Sequence, residues 1–225
     1  MNKLTLLTIV SSVNKEKYYF KILNKYRIKF KAITHGRGTA SSSLLEYFGL
    51  NEVERVIMLA IVPSIMSKYI LKYMDEKMKM SEPGNGIAFT IPLSSSTKYM
   101  NDTYAKVEME DIDMEDANKH LIITIANEGF AEIIMNAAKK VGATGGTTIN
   151  GRGLETEKII KFLGISIEPE KDIVLILADN DKKNDIMNEI VSSCGLKTPG
   201  AGICFSIPVD HVAGLNHKLE ILSKK

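Results

Sequence analysis

Two rhythms of apolar residues take turns along this chain. Leu4 to Val10 is a short apolar run, the pattern of a buried strand. Tyr19, Phe20, Ile22, Leu23 and Tyr26 then fall at helical spacing, and Ile28 to Ile33 alternates as a strand does. After a polar interval, Val56 to Val62 reads as a strand buried on both faces. Ile65, Met66, Tyr69, Ile70, Tyr73 and Met74 mark one side of a helix, and Ile87 to Ile91 closes the series as a strand. The same order returns further on. Leu121 to Ala126 reads as a strand, Phe130, Ile133, Ile134, Ala137 and Val141 as a helical stripe, and Thr147 to Asn150 as a strand. Ile173 to Ala178 is the next strand, Ile186, Met187, Ile190 and Val191 a helix, and Ile203 to Ile207 the last strand. Each interval is predicted to hold a short helix. Thr39 and the serines at 41–43 are placed to cap one that carries Leu44, Leu45, Tyr47 and Phe48 and ends at Gly49. Ile159, Ile160 and Leu163, followed by Gly164, mark its counterpart.

The return is a duplication. Pro83-Gly-Asn-Gly-Ile-Ala-Phe-Thr-Ile-Pro92 matches Pro199-Gly-Ala-Gly-Ile-Cys-Phe-Ser-Ile-Pro208 at seven of ten positions. Upstream stand Gly36-Arg37-Gly38 and Gly151-Arg152-Gly153, at spacings of 45 residues (Gly38 to Pro83) and 46 (Gly153 to Pro199). A module of about a hundred residues is therefore written twice, a period far longer than that of a solenoid. Each copy runs β-α-β, an interval, then β-α-β. Split βαβ units of that order make a four-stranded antiparallel sheet with both helices on one face. The expected fold is α+β, two tandem ferredoxin-like modules at 1–107 and 119–225. The other face of each sheet then needs a cover, another module or another chain. Between the copies, Glu108 to Asp116 holds six carboxylates in nine residues. It lacks the glycine and the spacing of a calcium loop, so 108–118 reads as a solvated acidic linker.

Composition narrows the classes. A net charge of +2 over 225 residues argues against nucleic acid and anionic membranes. The longest apolar run, Val56 to Val62, has seven residues, against the roughly 20 of a membrane span. The first ten residues read as a strand and not as a signal peptide. The two cysteines, Cys194 and Cys204, have no metal or redox spacing, and a reducing cytoplasm is expected.

Candidate chemistry gathers at the repeated motifs. Gly151-Arg152-Gly153 ends a polar stretch, Gly142-Ala-Thr-Gly-Gly-Thr-Thr-Ile-Asn-Gly-Arg-Gly153, with Thr147 and Thr148 leading in. Glycines admit a ligand close to the backbone, convergent N–H groups attract an anion, and arginine adds a forked cation. The same residues also suit a flexible turn between strands, and both readings stay open. Pro83-Gly-Asn-Gly and Pro199-Gly-Ala-Gly divide likewise between a phosphate cradle and a tight turn. The four histidines (His35, His120, His211, His217) show no metal spacing. No nucleophile sits beside a base, and His35 and Glu155, the general-base candidates, each occur in one copy. The chain reads as a non-enzyme.

Together the motifs resemble the P-II family of nitrogen regulatory signalling proteins, here as a tandem fusion of two P-II-like domains. The resemblance concentrates in Gly142 to Gly153 and the two Pro-Gly-x-Gly-Ile-x-Phe segments. It implies a ferredoxin-like module that binds an adenine nucleotide, often with 2-oxoglutarate, and docks a loop on a transporter or metabolic enzyme. By that likeness Thr147 lies near the ligand base, and Gly151, Arg152 and Gly153 form the root of the docking loop. Gly200 and Gly202, with Gly84 and Gly86, would face phosphates. Gly36, Arg37 and Gly38 would be the root in the first copy. The chain departs from the family at its phosphate loop, Gly-Asp-Gly-Lys, because Ile87 and Ile203 follow the glycines here. Val209 to Leu215 also carries no arginine. A triphosphate would lose several charge-assisted contacts worth about 1.5–3 kcal/mol each, which argues against ATP. The reading is a cytoplasmic, homo-oligomeric, non-enzymatic regulator that senses a nucleotide or small anion at inter-module clefts. It would regulate a partner protein in nitrogen or related metabolism. The alternative is a structural or assembly module with no small-molecule ligand.

Overall fold

The computed structural model describes residues 3–39, 53–82, 84–153, 160–162, 165–167, 170–196 and 202–214. It is a mixed α+β protein of antiparallel strands and, among the described residues, five α-helices. In chain order the elements begin with β1 (Leu4–Ser12), α1 (Glu16–Lys25), β2 (Phe30–Gly38) and β3 (Val53–Pro63). There follow α2 (Ser64–Met78), β4 (Ile87–Pro92), α3 (Lys98–Tyr104), β5 (Lys119–Asn127), α4 (Ala131–Lys140) and β6 (Thr147–Arg152). The series ends with β7 (Ile160–Phe162), β8 (Ile165–Ile167), β9 (Glu170–Asp179), α5 (Lys183–Ser193), β10 (Gly202–Val209) and β11 (Val212–Ala213). No helix among the described residues is long and apolar enough to cross a membrane.

The chain forms two compact units that are not contiguous in sequence. Unit 1 is 1–35, 54–118 and 208–225; unit 2 is 36–53 and 119–207.

In unit 1 the strands lie in the order β2-β3-β1-β4-β11. The register sets Leu7 opposite Ala60, and Ile9 opposite Met58 and Ala88, so these side chains share one face of the sheet. On that face α1 lays Tyr19, Ile22 and Leu23, and α2 lays Met66, Ile70, Leu71 and Met74. Ile70 and Leu71 are fully buried. Each such aliphatic side chain contributes about 1.5–3 kcal/mol, and the 3.6-residue spacing brings them to one stripe. Tyr19 is buried too, but its hydroxyl donates to the Asn85 carbonyl at 3.2 Å, and burial raises its pKa.

The acidic segment is anchored along this unit. Val107, Met109 and Met114 pack against the core while the carboxylates between them stay exposed. Lys68 Nζ donates to Asp111 at 2.8 Å, and the Tyr69 hydroxyl to the Glu110 carbonyl at 2.9 Å.

Unit 2 repeats the strand order as β10-β5-β9-β6. Ile122 and Ala126 of β5 and Val174, Ile176 and Ala178 of β9 meet Ile134, Met135, Ala137 and Ala138 of α4 and Ile186 and Ile190 of α5. Asp172, buried in β9, accepts the Gly129 and Ala131 N–H groups at 2.9 Å each. It thereby supplies α4 with the N-terminal acceptor its own sequence lacks.

Two sequence expectations need correction. Ile160, expected in a short helix, lies in β7, which pairs with β8 as Ile160↔Ile167 and Phe162↔Ile165. The run Ile-Lys-Phe-Leu-Gly-Ile-Ser-Ile alternates with period two on both sides of Gly164, and that signal outweighs the weaker helical one. Of the two readings left open for Gly36-Arg37-Gly38 and Gly151-Arg152, the flexible turn does not hold, because these are strand residues. Their backbone groups are taken up by neighbouring strands, so the chain has no reason to reverse there. The expected helix over 44–48 falls on 40–52, outside the described residues.

Candidate functional site

The first Gly-Arg-Gly motif pairs with the start of β6, the strand whose far end carries the second. On one side β6 pairs with β9, from Thr147↔Leu175 to Arg152↔Glu170. On the other it takes the end of β2, with Gly38 opposite Thr147 and Arg37 opposite Thr148. By the repeat Gly38 corresponds to Gly153, yet within unit 2 its neighbour across the strands is Thr147. Thr39 fixes the junction. Its N–H donates to the Gly146 carbonyl at 2.9 Å, and its hydroxyl both donates to that carbonyl at 3.2 Å and accepts from the Gly146 N–H at 3.1 Å. Only glycine suits position 146, where a Cβ would lie 2.7 Å from Met135 Sδ and 3.0 Å from the Leu175 carbonyl.

Alternation along β6 sends the two threonines to opposite faces. Thr148, in register with Val174, shares the helix-covered face, and its hydroxyl is buried without a hydrogen-bond partner. Thr147, beside Leu175, points the other way and is also buried. Arg37 lies exposed beside Thr148 on the next strand. The junction therefore offers a guanidinium, an unmet hydroxyl and two strand ends within one patch.

Gly151, Arg152 and Gly153 lie elsewhere. Five residues separate Arg152 from Thr147, about 17 Å along the strand. Arg152 is exposed opposite Glu170, and Gly151 faces Lys171, whose ammonium donates to Asn127 Oδ1 at 2.9 Å.

The last glycines of the two Pro-Gly-x-Gly motifs, Gly86 and Gly202, behave alike. Gly86 has φ +102° and Gly202 φ +144°. A Cβ on Gly86 would lie 2.2 Å from the Val10 carbonyl oxygen, and one on Gly202 would lie 2.4 Å from that of Ile125. In unit 1 the loop is closed by Asn85 N–H to Glu82 O at 3.2 Å, and the Asn85 carbonyl accepts from Ser11 at 3.1 Å as well as from Tyr19. Gly84, at φ +83°, has open space around it. Gly200 lies outside the described residues.

Among the described residues no group of His, Cys, Asp and Glu is placed to hold a metal ion. His35 forms an exposed 3.8 Å pair with Glu16, and Glu155 lies outside the described residues. His120 sits against the Lys183 ammonium at 3.4 Å, and burial, followed by that charge, lowers its pKa. Thr39 and Gly146 escaped the sequence reading as site residues. Thr39 carries only the signature of a helix cap in the sequence, and Gly146 is one of several glycines in Gly142 to Gly153.

No protein-family model matches the chain, and no curated protein matches it in sequence. Among solved structures it is similar to that of Arabidopsis thaliana PII bound to citrate, with 20% identity and a TM-score of 0.32. That alignment covers 42% of this chain and 78% of the other.

Proposed function

We propose that this chain is a non-enzymatic, cytoplasmic regulator of the P-II type. It is built from two ferredoxin-like modules joined by the acidic segment 108–118, and it signals the presence of a small anion or nucleotide to a partner protein. A transporter or an enzyme of nitrogen or related metabolism is the kind of partner meant. The recurrence of one strand order, β2-β3-β1-β4 and β6-β9-β5-β10, supports the module reading.

The ligand reading rests on the buried, unpartnered Thr148 hydroxyl in register with Arg37. Leaving such a group unsatisfied costs about 1–3 kcal/mol. A ligand oxygen held by the Arg37 guanidinium, or a water bridging to it, recovers part of that cost. The signalling step follows from sequence position, because the segments Thr39 to Gly49 and Leu154 to Gly164 begin directly beyond the two motifs. A ligand that binds one arrangement of these segments better than another shifts their population, and a partner reads the shift.

The test is thermal unfolding against ATP, ADP, AMP, 2-oxoglutarate, citrate, bicarbonate and phosphate. A ligand at 100 times its Kd adds about 2.7 kcal/mol, visible as a raised Tm. Arg37→Ala should abolish the shift. Thr148→Val should abolish it too while raising the stability of the ligand-free protein by about 1 kcal/mol, since it removes an unmet polar group. If the panel gives no shift, the second reading holds: a structural module without a ligand. One observation favours that reading, namely that Gly86 and Gly202 are both accounted for by backbone packing alone.

A further inference from the structure

The two copies differ at one strand edge. In unit 1 the outer edge of β4 is covered by the chain's own tail, as Val212 pairs with Phe89 and Ala213 with Ala88. Thr90 donates its N–H to the His211 carbonyl at 3.0 Å and accepts from the Asp210 N–H at 2.9 Å. Under this cover Phe89 is 1% exposed. In unit 2 the corresponding strand is β10, where Cys204, Phe205 and Ser206 stand for Ala88, Phe89 and Thr90. No described strand pairs with its outer edge. Phe205 is 39% exposed and Ile203, the counterpart of Ile87, is 57% exposed.

Natural edge strands are usually protected by charge, shortness or a cover. Gly202–Val209 has eight residues, no charged side chain and no cover among the described residues. The tail that fits such an edge is already engaged on β4. Among the described strands longer than three residues, β10 is the one with a strand partner on one side only. Among the described segments of this chain, the one that matches it in length, polarity and free backbone groups is β10 of a second copy.

We propose that two copies of this chain associate through β10, edge to edge and antiparallel about a two-fold axis. The correspondence with Thr90 fixes which groups point outward: the N–H and C=O of Ser206 and, two residues away, of Cys204. Pro208 has no N–H, so pairing centres on Cys204 and not further along. Cys204 then faces its own counterpart, Gly202 faces Ser206 of the second copy, and Ile203 faces Phe205 on one side of the joined sheet. Two exposed apolar residues of the same strand thus cover each other, and no like charges meet. Such an interface is isologous and closes at two subunits. It deepens the homo-oligomer part of the reading above and does not depend on the ligand, so ligand-induced shifts in Tm report separately.

The test is the mass of the full chain in solution by sedimentation equilibrium at about 1–100 µM, the concentration range of a modest isologous contact. The wild-type protein should have twice the chain mass of 24.9 kDa. Ile203→Lys combined with Phe205→Lys sets like charges opposite and should return 24.9 kDa. Ile203→Lys combined with Phe205→Glu sets opposite charges in the same register and should restore the doubled mass. Both positions are exposed, so the fold should survive, and circular dichroism and melting check that it does. If the double-lysine protein fails to fold, Ser206→Pro, which removes one outward N–H per strand, should halve the mass instead. A wild-type chain of single mass overturns the proposal, as does a doubled mass that the double-lysine or Ser206→Pro protein retains. A single-mass chain that takes up a foreign peptide strand on β10 also overturns it.

Discussion

Gly86 and Gly202 show why a motif legible in sequence can still be ambiguous at the scale of a residue. A repeated Pro-Gly-x-Gly suits a phosphate cradle and a tight turn equally, since both need left-handed φ and a bare backbone. The ambiguity falls only when the neighbour is known, and here it is a carbonyl oxygen of the adjacent strand in both copies. Gly86→Ala and Gly202→Ala should each cost about 3 kcal/mol or more, through the clash and the positive φ together. Gly84→Ala serves as the control. It has positive φ but open space, and about 1 kcal/mol is expected. Urea melts of the three proteins decide the matter. A Gly202→Ala protein no less stable than Gly84→Ala would remove the close approach as the reason for the repeat. Thr148 teaches the converse lesson. The sequence singled out the Thr147-Thr148 pair, but which hydroxyl turns inward depends on pairing with Val174, a residue 26 positions away.

At the scale of elements, long periodic segments were legible because the period itself is the physical signal. The strand around Leu7 and the helix around Ile70 needed no more. Short elements were not. α3 is seven residues long, and its start depends on one local bond, the Thr97 hydroxyl accepting the Met100 N–H at 3.4 Å. Its place is fixed by distant groups: the Tyr104 hydroxyl donates to the Ile61 carbonyl at 3.0 Å and accepts the Lys29 N–H at 3.1 Å. None of that is written in a seven-residue window. The acidic run illustrates a third case, since its carboxylates were conspicuous and its methionines were not. Because Met109 and Met114 pack on the unit 1 core, a Glu-specific protease should cut 108–115 slowly. Met109→Ser with Met114→Ser should speed cleavage by an order of magnitude or more, at about 1 kcal/mol of lost packing per side chain. Rapid cutting of the wild-type segment would show that it is a free linker after all.

For the whole molecule, the consequence of duplication is that sequence halves and compact units are different things. The repeat invites a cut near residue 118, yet 208–214 belongs with the first unit. The sequence carried no sign of this, because β11 is two residues long and its partner in β4 lies more than a hundred residues earlier. Its contribution is nonetheless definite. His211 is buried, with its N–H on the Thr90 hydroxyl at 3.2 Å and its ring Nδ1 against the Glu115 carbonyl at 3.2 Å. The Ala117 N–H donates to the Asp210 carbonyl at 2.7 Å, and Ala213 joins the unit 1 core. A chain ending at residue 207 therefore loses at least four hydrogen bonds, at roughly 1 kcal/mol each, and uncovers Phe89. The expected loss is about 4 kcal/mol or more, and it should fall on unit 1 although the residues removed are at the other end of the sequence. Hydrogen exchange locates it. Amides of β1 and β4 should lose protection in the shortened chain while those of β5 and β9 keep theirs. Loss confined to β5 and β9 would show that the tail stabilises the unit nearest to it in sequence.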